Sequence, residues 1–267
     1  MGSLHWLCSY PRSGNTWVRS LLSPGYEKIN SQKVTLMAAG RSLFRDMVGV
    51  DSSLLSQQEI RECRALLYEF LRDSFPDTQL IKNHDIYSPE IFPESTLSRV
   101  VCIVRNPLDV AVSLAHFEDI SYQEATNFMG DRNAAISAYP KSGHHQLPQK
   151  LGTWSEHVES WLTAPAETLV LRYEDLKTDA IASTRALYEF LGYSLENHRL
   201  GEVVASSSFG KLSRREEKGL FQERWRASRN FFRRGETGDG HRELPSCCVE
   251  QIAAQHGTTM KKLGYLS

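Results

Sequence analysis

The chain has 267 residues, 40% of them hydrophobic and 24% charged, with a formal net charge of −1. That length suits one large α/β domain with a substantial core, and the near-neutral balance gives no global pull toward nucleic acid or anionic membrane. The five cysteines (Cys8, Cys63, Cys102, Cys247, Cys248) are odd in number, scattered and lack a C-x-x-C pair, which argues against a zinc knuckle or disulfide framework and for a reducing compartment. No apolar run approaches the length of a membrane span, and the N-terminus enters a strand without the apolar core of a signal peptide. The expectation is a cytoplasmic protein with no membrane span.

The apolar run Leu4 to Cys8 predicts a strand, and Val18, Leu21 and Leu22 follow at helical spacing. Between them lies Ser9-Tyr10-Pro11-Arg12-Ser13-Gly14-Asn15-Thr16-Trp17. A glycine loop between a strand and a helix N-terminus converges backbone N–H groups on one point and makes an anion site. Gly14 permits close approach, Ser13 and Thr16 offer hydroxyls, Arg12 a fixed charge, and Trp17 an indole able to cover a base. Against a Walker A loop, Gly14 and Thr16 fall on the second glycine and the hydroxyl, but Ser9 replaces the first glycine and Asn15 the lysine. The cation has moved to Arg12, which speaks against a nucleoside triphosphate and for a differently charged anion.

Farther on, Ser56 and Glu59 form a capping box before Ile60, Cys63, Leu66, Leu67, Phe70 and Leu71, a helical stripe that Pro76 closes. Gln79 to Lys82 predicts a short strand that emerges at Asn83-His84-Asp85, where open α/β sheets place ligands. Arg99 to Val104, nearly all apolar and β-branched, predicts a parallel strand buried on both faces. Pro107 suits the first position of the next helix. Residues 130–153, rich in Gly, Pro, His, Ser and Gln, read as a long loop, and about 117–153 as a lid. Helices follow at Trp154–Leu162, Ala182–Leu191, Leu195–Ala205 and Val249–Leu263, with a strand at Thr168–Leu171. The basic stretch Lys211–Arg234 is interrupted by Glu216, Glu217 and Glu223 and lacks an aromatic ladder, which argues against a nucleic-acid surface. Strands alternating with helices predict one α/β domain over 1–267, with a central, mainly parallel sheet flanked by helices.

Arg105, just beyond a buried strand, and Ser113, two turns into the next helix, can together grip a second phosphate. Read singly, Arg105 suits an ion pair with Asp109, and Ser113 a hydroxyl bonded to its own helix. A magnesium-dependent kinase would want an Asp at that strand end. His84, neutral near pH 7, is the candidate base for a hydroxyl. The remaining histidines, His144-His145 included, show no ligand spacing, and no metal site is expected.

The loop resembles the 5′-phosphosulfate loop of the PAPS-dependent sulfotransferases, [FY]-P-K-S-G-T-T-W, with Arg12 for lysine and Asn15 for threonine. Four further segments resemble that family: Lys82-x-His84; Arg105-Asn106-Pro107 with Asp109 and Ser113, like its 3′-phosphate segment R-N-P-x-D-x-x-x-S; Tyr173-Glu174-Asp175; and Ser207-Ser208-Phe209, like T-S-F. So does Arg233-Arg234-Gly235-x-x-Gly238-Asp239, where Gly240 replaces the tryptophan of R-K-G-x-x-G-D-W. The resemblance implies a P-loop-like fold and transfer of the sulfuryl group from PAPS to a hydroxyl, with PAP as product. Catalytic roles fall to His84, Arg12 and Lys82. Donor binding falls to Arg12, Ser13, Gly14, Asn15, Thr16, Trp17, Arg105, Ser113, Tyr173, Ser207, Ser208, Phe209, Arg233, Arg234 and Gly235. Arg12 keeps the charge of the usual lysine but cannot give up its proton. The acceptor is a small molecule: a phenol or aromatic natural product, then a lipid or steroid-like alcohol, then a sugar. Residues 34–50, 85–92 and 117–153, with Met37, Phe44, Phe92, Phe117, Tyr122, Phe128 and Tyr139, are expected around it. The rival readings are a small-molecule P-loop kinase and a non-catalytic nucleotide-binding protein. The family's dimer motif is not visible in 245–267, which leaves a homodimer open.

Overall fold

The computed structural model describes residues 2–29, 36–136, 146–218 and 233–266. Tyr139, His144, His145 and the middle of the basic stretch, 219–232, lie outside them. In chain order the elements are β1 (Leu4–Ser9), α1 (Asn15–Ile29), β2 (Leu36–Met37), α2 (Arg41–Val48), α3 (Gln57–Ser74), β3 (Gln79–Asn83), β4 (Arg99–Val104), α4 (Pro107–Glu118), α5 (Tyr122–Met129), β5 (Ala135–Ile136), β6 (Gln149–Lys150), α6 (Trp154–Leu162), β7 (Glu167–Arg172), α7 (Tyr173–Thr178), α8 (Ala180–Phe190), α9 (Asn197–Ser206), α10 (Phe209–Glu217), α11 (Asp239–Glu243) and α12 (Ser246–Lys262). The described residues gather into two compact units: Met1–Tyr10, Gln32–Val104 and Met129–Val170 make the first; Pro11–Ser31, Arg105–Phe128 and Leu171–Ser267 the second.

The first unit is built on the sheet, ordered β2-β3-β1-β4-β7. β1 pairs parallel with β3 on one side and β4 on the other, and all six of its residues are buried. This is the arrangement the continuous apolar runs foretell, since a parallel strand covered on both faces cannot alternate. Leu7 lies opposite Lys82, and Cys8 opposite Asn83. His84 therefore leaves the sheet beside Ser9. Trp6, Tyr68, Phe92 and Trp161 form the aromatic heart, Trp6 standing edge-on to Tyr68 and to Phe92 at 5.0 Å. Phe44 and Phe92, expected around an acceptor, are core residues with no exposure. Helix α3 starts at the Ser56–Glu59 capping box as read from the sequence, and α6 at a second box, Thr153 with Glu156. The segment read as a lid holds helix α5 and, around 137–145, the antiparallel pair β5–β6.

Two buried histidines give this unit an acid weakness. Burial, helped by Arg99, lowers His5 to about 4, and burial lowers His157 to about 4. Both bind a proton more readily in the unfolded chain, so stability falls as pH drops from about 6.5 toward 4. Each contributes about 3 kcal/mol when the drop is complete. Denaturant midpoints measured down to about pH 4.5 are expected to fall steeply, and a flat profile would show that neither ring is held neutral.

In the second unit, Pro107 opens α4 behind Asn106, whose side-chain oxygen accepts from the Leu108 N–H at 3.0 Å. Tyr188 Oη donates to the Leu21 carbonyl and Ser207 Oγ to that of Ser20, which ties α8 and the end of α9 to α1. Gly240 packs its Cα onto Leu108, where a Cβ would come within 2.4 Å of the Leu108 Cβ and 2.6 Å of its carbonyl carbon. A tryptophan has no room there.

Candidate active site

The loop after β1 is shaped by two left-handed residues, Arg12 at φ 68° and Gly14 at φ 103°. The first is unusual for a residue with a side chain. The alternation turns successive N–H groups inward, and α1 then begins at Asn15 with its first helical bond from Val18 N–H to Gly14 O. Gly14 is required twice over: besides its φ, a Cβ would meet the Tyr173 ring at 2.7 Å. Arg105 braces the loop, its Nη1 donating to the Arg12 carbonyl at 3.2 Å and its Nη2 to the Glu236 carbonyl at 2.9 Å. It also lies 4.4 Å over the Tyr173 ring, and Trp17 meets that ring edge-on at 5.4 Å.

Arg12 donates from Nε to Ser113 Oγ at 3.1 Å and lies 4.3 Å over the Phe117 ring. Ser113 thus serves Arg12 rather than its own helix. Burial, and then the like charge of Arg105, lower the Arg12 guanidinium to about 10. It remains charged at neutral pH. Asp109 does not pair with Arg105. Its carboxylate accepts from the N–H groups of Gly238 (2.9 Å) and Gly240 (2.7 Å) and so fixes the glycine turn. Gly235 lies against Phe209, whose ring leaves no space for a Cβ.

Two donors in this cluster are buried without a partner, Ser13 Oγ and Arg105 Nε. A buried donor left unmade is costly; Ser13 lies on the loop at the head of α1, and Arg105, just after β4, is bonded to that loop at the Arg12 carbonyl. An anionic phosphate group fits that donor set. Not every residue expected to hold the donor is so disposed. Ser207 gives its hydroxyl to Ser20, and Ser208 is exposed at the start of α10. Arg233 bonds Asp239 (2.7 Å) and Glu243 (3.0 Å), and Arg234 bonds Glu243 (3.1 Å). Against the upward push of burial, bonds from His116, Arg233 and Tyr122 hold the Glu243 carboxyl at about 2.

Within the first unit, Lys82 is buried near the end of β3 and His84 follows the strand. His84 Nδ1 lies 2.8 Å from the Ser9 carbonyl. A carbonyl only accepts, so Nδ1 carries the proton and Nε2 is the accepting nitrogen of the neutral ring. The next residue, Asp85, is in a buried pair: Arg64 Nη2 reaches its Oδ2 at 2.6 Å, both side chains being 1% exposed. Burial raises the Asp85 carboxyl above its ordinary range, against the pull of Arg64. Arg64 and Gln149 escape the sequence reading, and no local signal points to either. The sequence suggests other roles for Asp109 and Phe117, Asp109 as an ion-pair partner of Arg105 and Phe117 among the aromatics around an acceptor, whereas Asp109 holds the glycine turn and Phe117 underlies Arg12.

Fold and loop together define an α/β protein with an anion-binding type of loop after its first strand. The chain belongs to the sulfotransferase domain family, whose model matches residues 4–264 and so spans both units. A flavonol sulfotransferase-like protein of Flaveria bidentis is 27% identical over 262 residues, covering 87% of this chain and 74% of that protein. Cytosolic sulfotransferase 17 of Arabidopsis thaliana is 27% identical, covering 98% and 75%. Among solved structures, a mouse sulfotransferase complexed with PAP shares the fold at a TM-score of 0.65 and 20% identity, over 97% of this chain and 85% of that one. Among the described residues no helix is long and apolar enough to cross a membrane.

Proposed function

We propose that the chain transfers a sulfuryl group from PAPS to the hydroxyl of a small molecule in the cytoplasm. The observation that carries this is the pair of buried, unpartnered donors, Ser13 Oγ on the loop at the head of α1 and Arg105 Nε just after β4, whose guanidinium is bonded to that loop. PAPS, when bound, supplies a sulfuryl group on a 5′-phosphate and a second phosphate at the 3′ position. Arg12, Ser13 and the N–H groups of residues 14–17 would hold the 5′ side. Arg105, with Ser113, Arg233, Arg234 and Gly235, would hold the 3′ side, and Trp17, Tyr173, Ser207, Ser208 and Phe209 the adenine. For Arg233 and Arg234 that role means giving up Asp239 and Glu243.

In this reading His84 Nε2 takes the proton of the acceptor hydroxyl as its oxygen attacks sulfur in line. Negative charge growing on the leaving oxygen is met by Arg12, Lys82 and the loop N–H groups. Arg12 keeps its own proton, so it stabilises that oxygen by charge and hydrogen bonding alone. The flavonol sulfotransferase-like relative supports a phenolic acceptor ahead of a lipid alcohol or a sugar.

Calorimetric titration with PAP, against ATP plus Mg²⁺ on the same sample, tests the donor. Tight, metal-independent binding of PAP and little binding of ATP is expected. Preference for ATP with Mg²⁺ would make the protein a kinase-like enzyme and refute the proposal.

A further inference from the structure

His84 is held by more than its ring. Its backbone N–H donates to Gln149 Oε1 at 3.2 Å, and its carbonyl accepts from His157 Nε2 at 3.1 Å. The next carbonyl, that of Asp85, accepts from Trp161 Nε1 at 2.8 Å. His157 and Trp161 are one turn apart on α6, so one helix face reads two successive carbonyls of the turn that carries His84. The turn is closed on itself as well, with Asn83 Nδ2 donating to Asp85 O and Asp85 N–H to Asn83 Oδ1. From the other side β6 contributes Gln149, and its Lys150 N–H donates to Asp85 Oδ1 at 3.1 Å.

We infer that His157 and Gln149 are positioning residues for His84, clamping the peptide groups on either side of its Cα so that the ring stays on the Ser9 carbonyl. The inference rests on the reading of His84 as the base. Its physical content is simple. A histidine ring keeps one tautomer only while the other nitrogen keeps its hydrogen bond. The Ser9 carbonyl belongs to β1, a strand buried along its whole length. The His84 backbone lies past the end of β3, where no further ladder bond fixes it. Ser9 Oγ meets the same nitrogen at 3.3 Å, and the side-chain bonds to the His84 N–H and C=O fix the backbone from which the ring reaches its acceptor at 2.8 Å. His157 is suited to the task. It is fully buried, its ring packs edge-on to Tyr10 at 5.5 Å, and its Nδ1 has no partner, so the whole hydrogen-bonding capacity of the neutral ring goes to the His84 carbonyl.

The test is ¹⁵N NMR of the full chain labelled at histidine, with the His84 signal identified by its disappearance in His84→Gln. The parent is expected to show His84 as the single tautomer with its proton on Nδ1. His157→Leu is expected to shift His84 to a mixture of tautomers. His157→Gln, whose amide can donate to the same carbonyl, is expected to restore the parent spectrum. Gln149→Leu, which leaves α6 untouched, is the second variant and is expected to give the same mixture, also where His157→Leu fails to fold. An unchanged His84 tautomer in either leucine variant that folds would overturn the inference. Failure of PAP to bind would instead remove sulfuryl transfer and leave the tautomer result standing, so the two are separable.

Discussion

His84→Ala is expected to lower the turnover number by about 10²- to 10⁴-fold, the range that removal of a general base costs. The affinity for PAP is expected to stay at the parent value. The separation follows from the different roles proposed for the residues. The loop from Pro11 on, Arg105, Ser113 and Tyr173, expected to bind the donor, belong to the second unit, and none of the hydrogen bonds described for them involves His84. His84 belongs to the first unit, with Nδ1 donating to Ser9 O, which makes Nε2 the accepting nitrogen. A steady-state assay with PAPS and a phenol, beside a PAP titration, checks both halves. Full turnover in the variant would take His84 out of the mechanism. A parallel loss of PAP affinity would show that it serves donor binding.

Arg64→Ala is expected to destabilise the fold by about 3–5 kcal/mol, a large part of the total stability of a domain this size. Arg64 gives its guanidinium to Asp85 and its Nε to Tyr68 Oη, whose own proton goes to the Ala38 carbonyl. Its removal leaves a carboxylate that is 1% exposed with the Lys150 N–H as its remaining described donor. Burial already raises that carboxyl, and loss of the cation raises it further. The folded variant then binds a proton more readily than the unfolded chain, so its stability falls as pH rises. Denaturant unfolding of Arg64→Ala and of the parent at mildly acidic and neutral pH measures this. The deficit is expected to be smaller at the acid end, and a deficit under about 1 kcal/mol would mean that the pair is not desolvated.

The sequence makes the frame of this molecule legible because its signals are local. The nearly continuous apolar runs at Leu4–Cys8 and Arg99–Val104 point to buried parallel strands, and the Ser56–Glu59 box and Pro107 mark helix starts. The loop is legible for the same reason, since glycine and hydroxyl spacing around a strand–helix junction is itself the site. What supports the site is not local. Arg12 meets Ser113 across 101 residues, His157 meets His84 across 73, and Arg64 meets Asp85 across 21. A serine in mid-helix or a histidine on an apolar helix face looks the same in sequence whatever stands opposite. Aromatic content misleads similarly: Phe44 and Phe92 suggest an acceptor pocket by type, and the fold uses them as core. Short elements such as β2 and the β5–β6 pair are only two residues per strand, too brief for any period to show.

Gly240 carries a consequence for how this sequence can change. The atoms that exclude a side chain there include the carbonyl carbon of Leu108, so trimming residue 108 does not open the space. The amide of Gly240 is meanwhile held by Asp109, the neighbour of that same residue. Positions 108, 109 and 240 therefore form an epistatic unit. A tryptophan cannot be introduced at position 240 by a single substitution, because the backbone of α4 would have to retreat first.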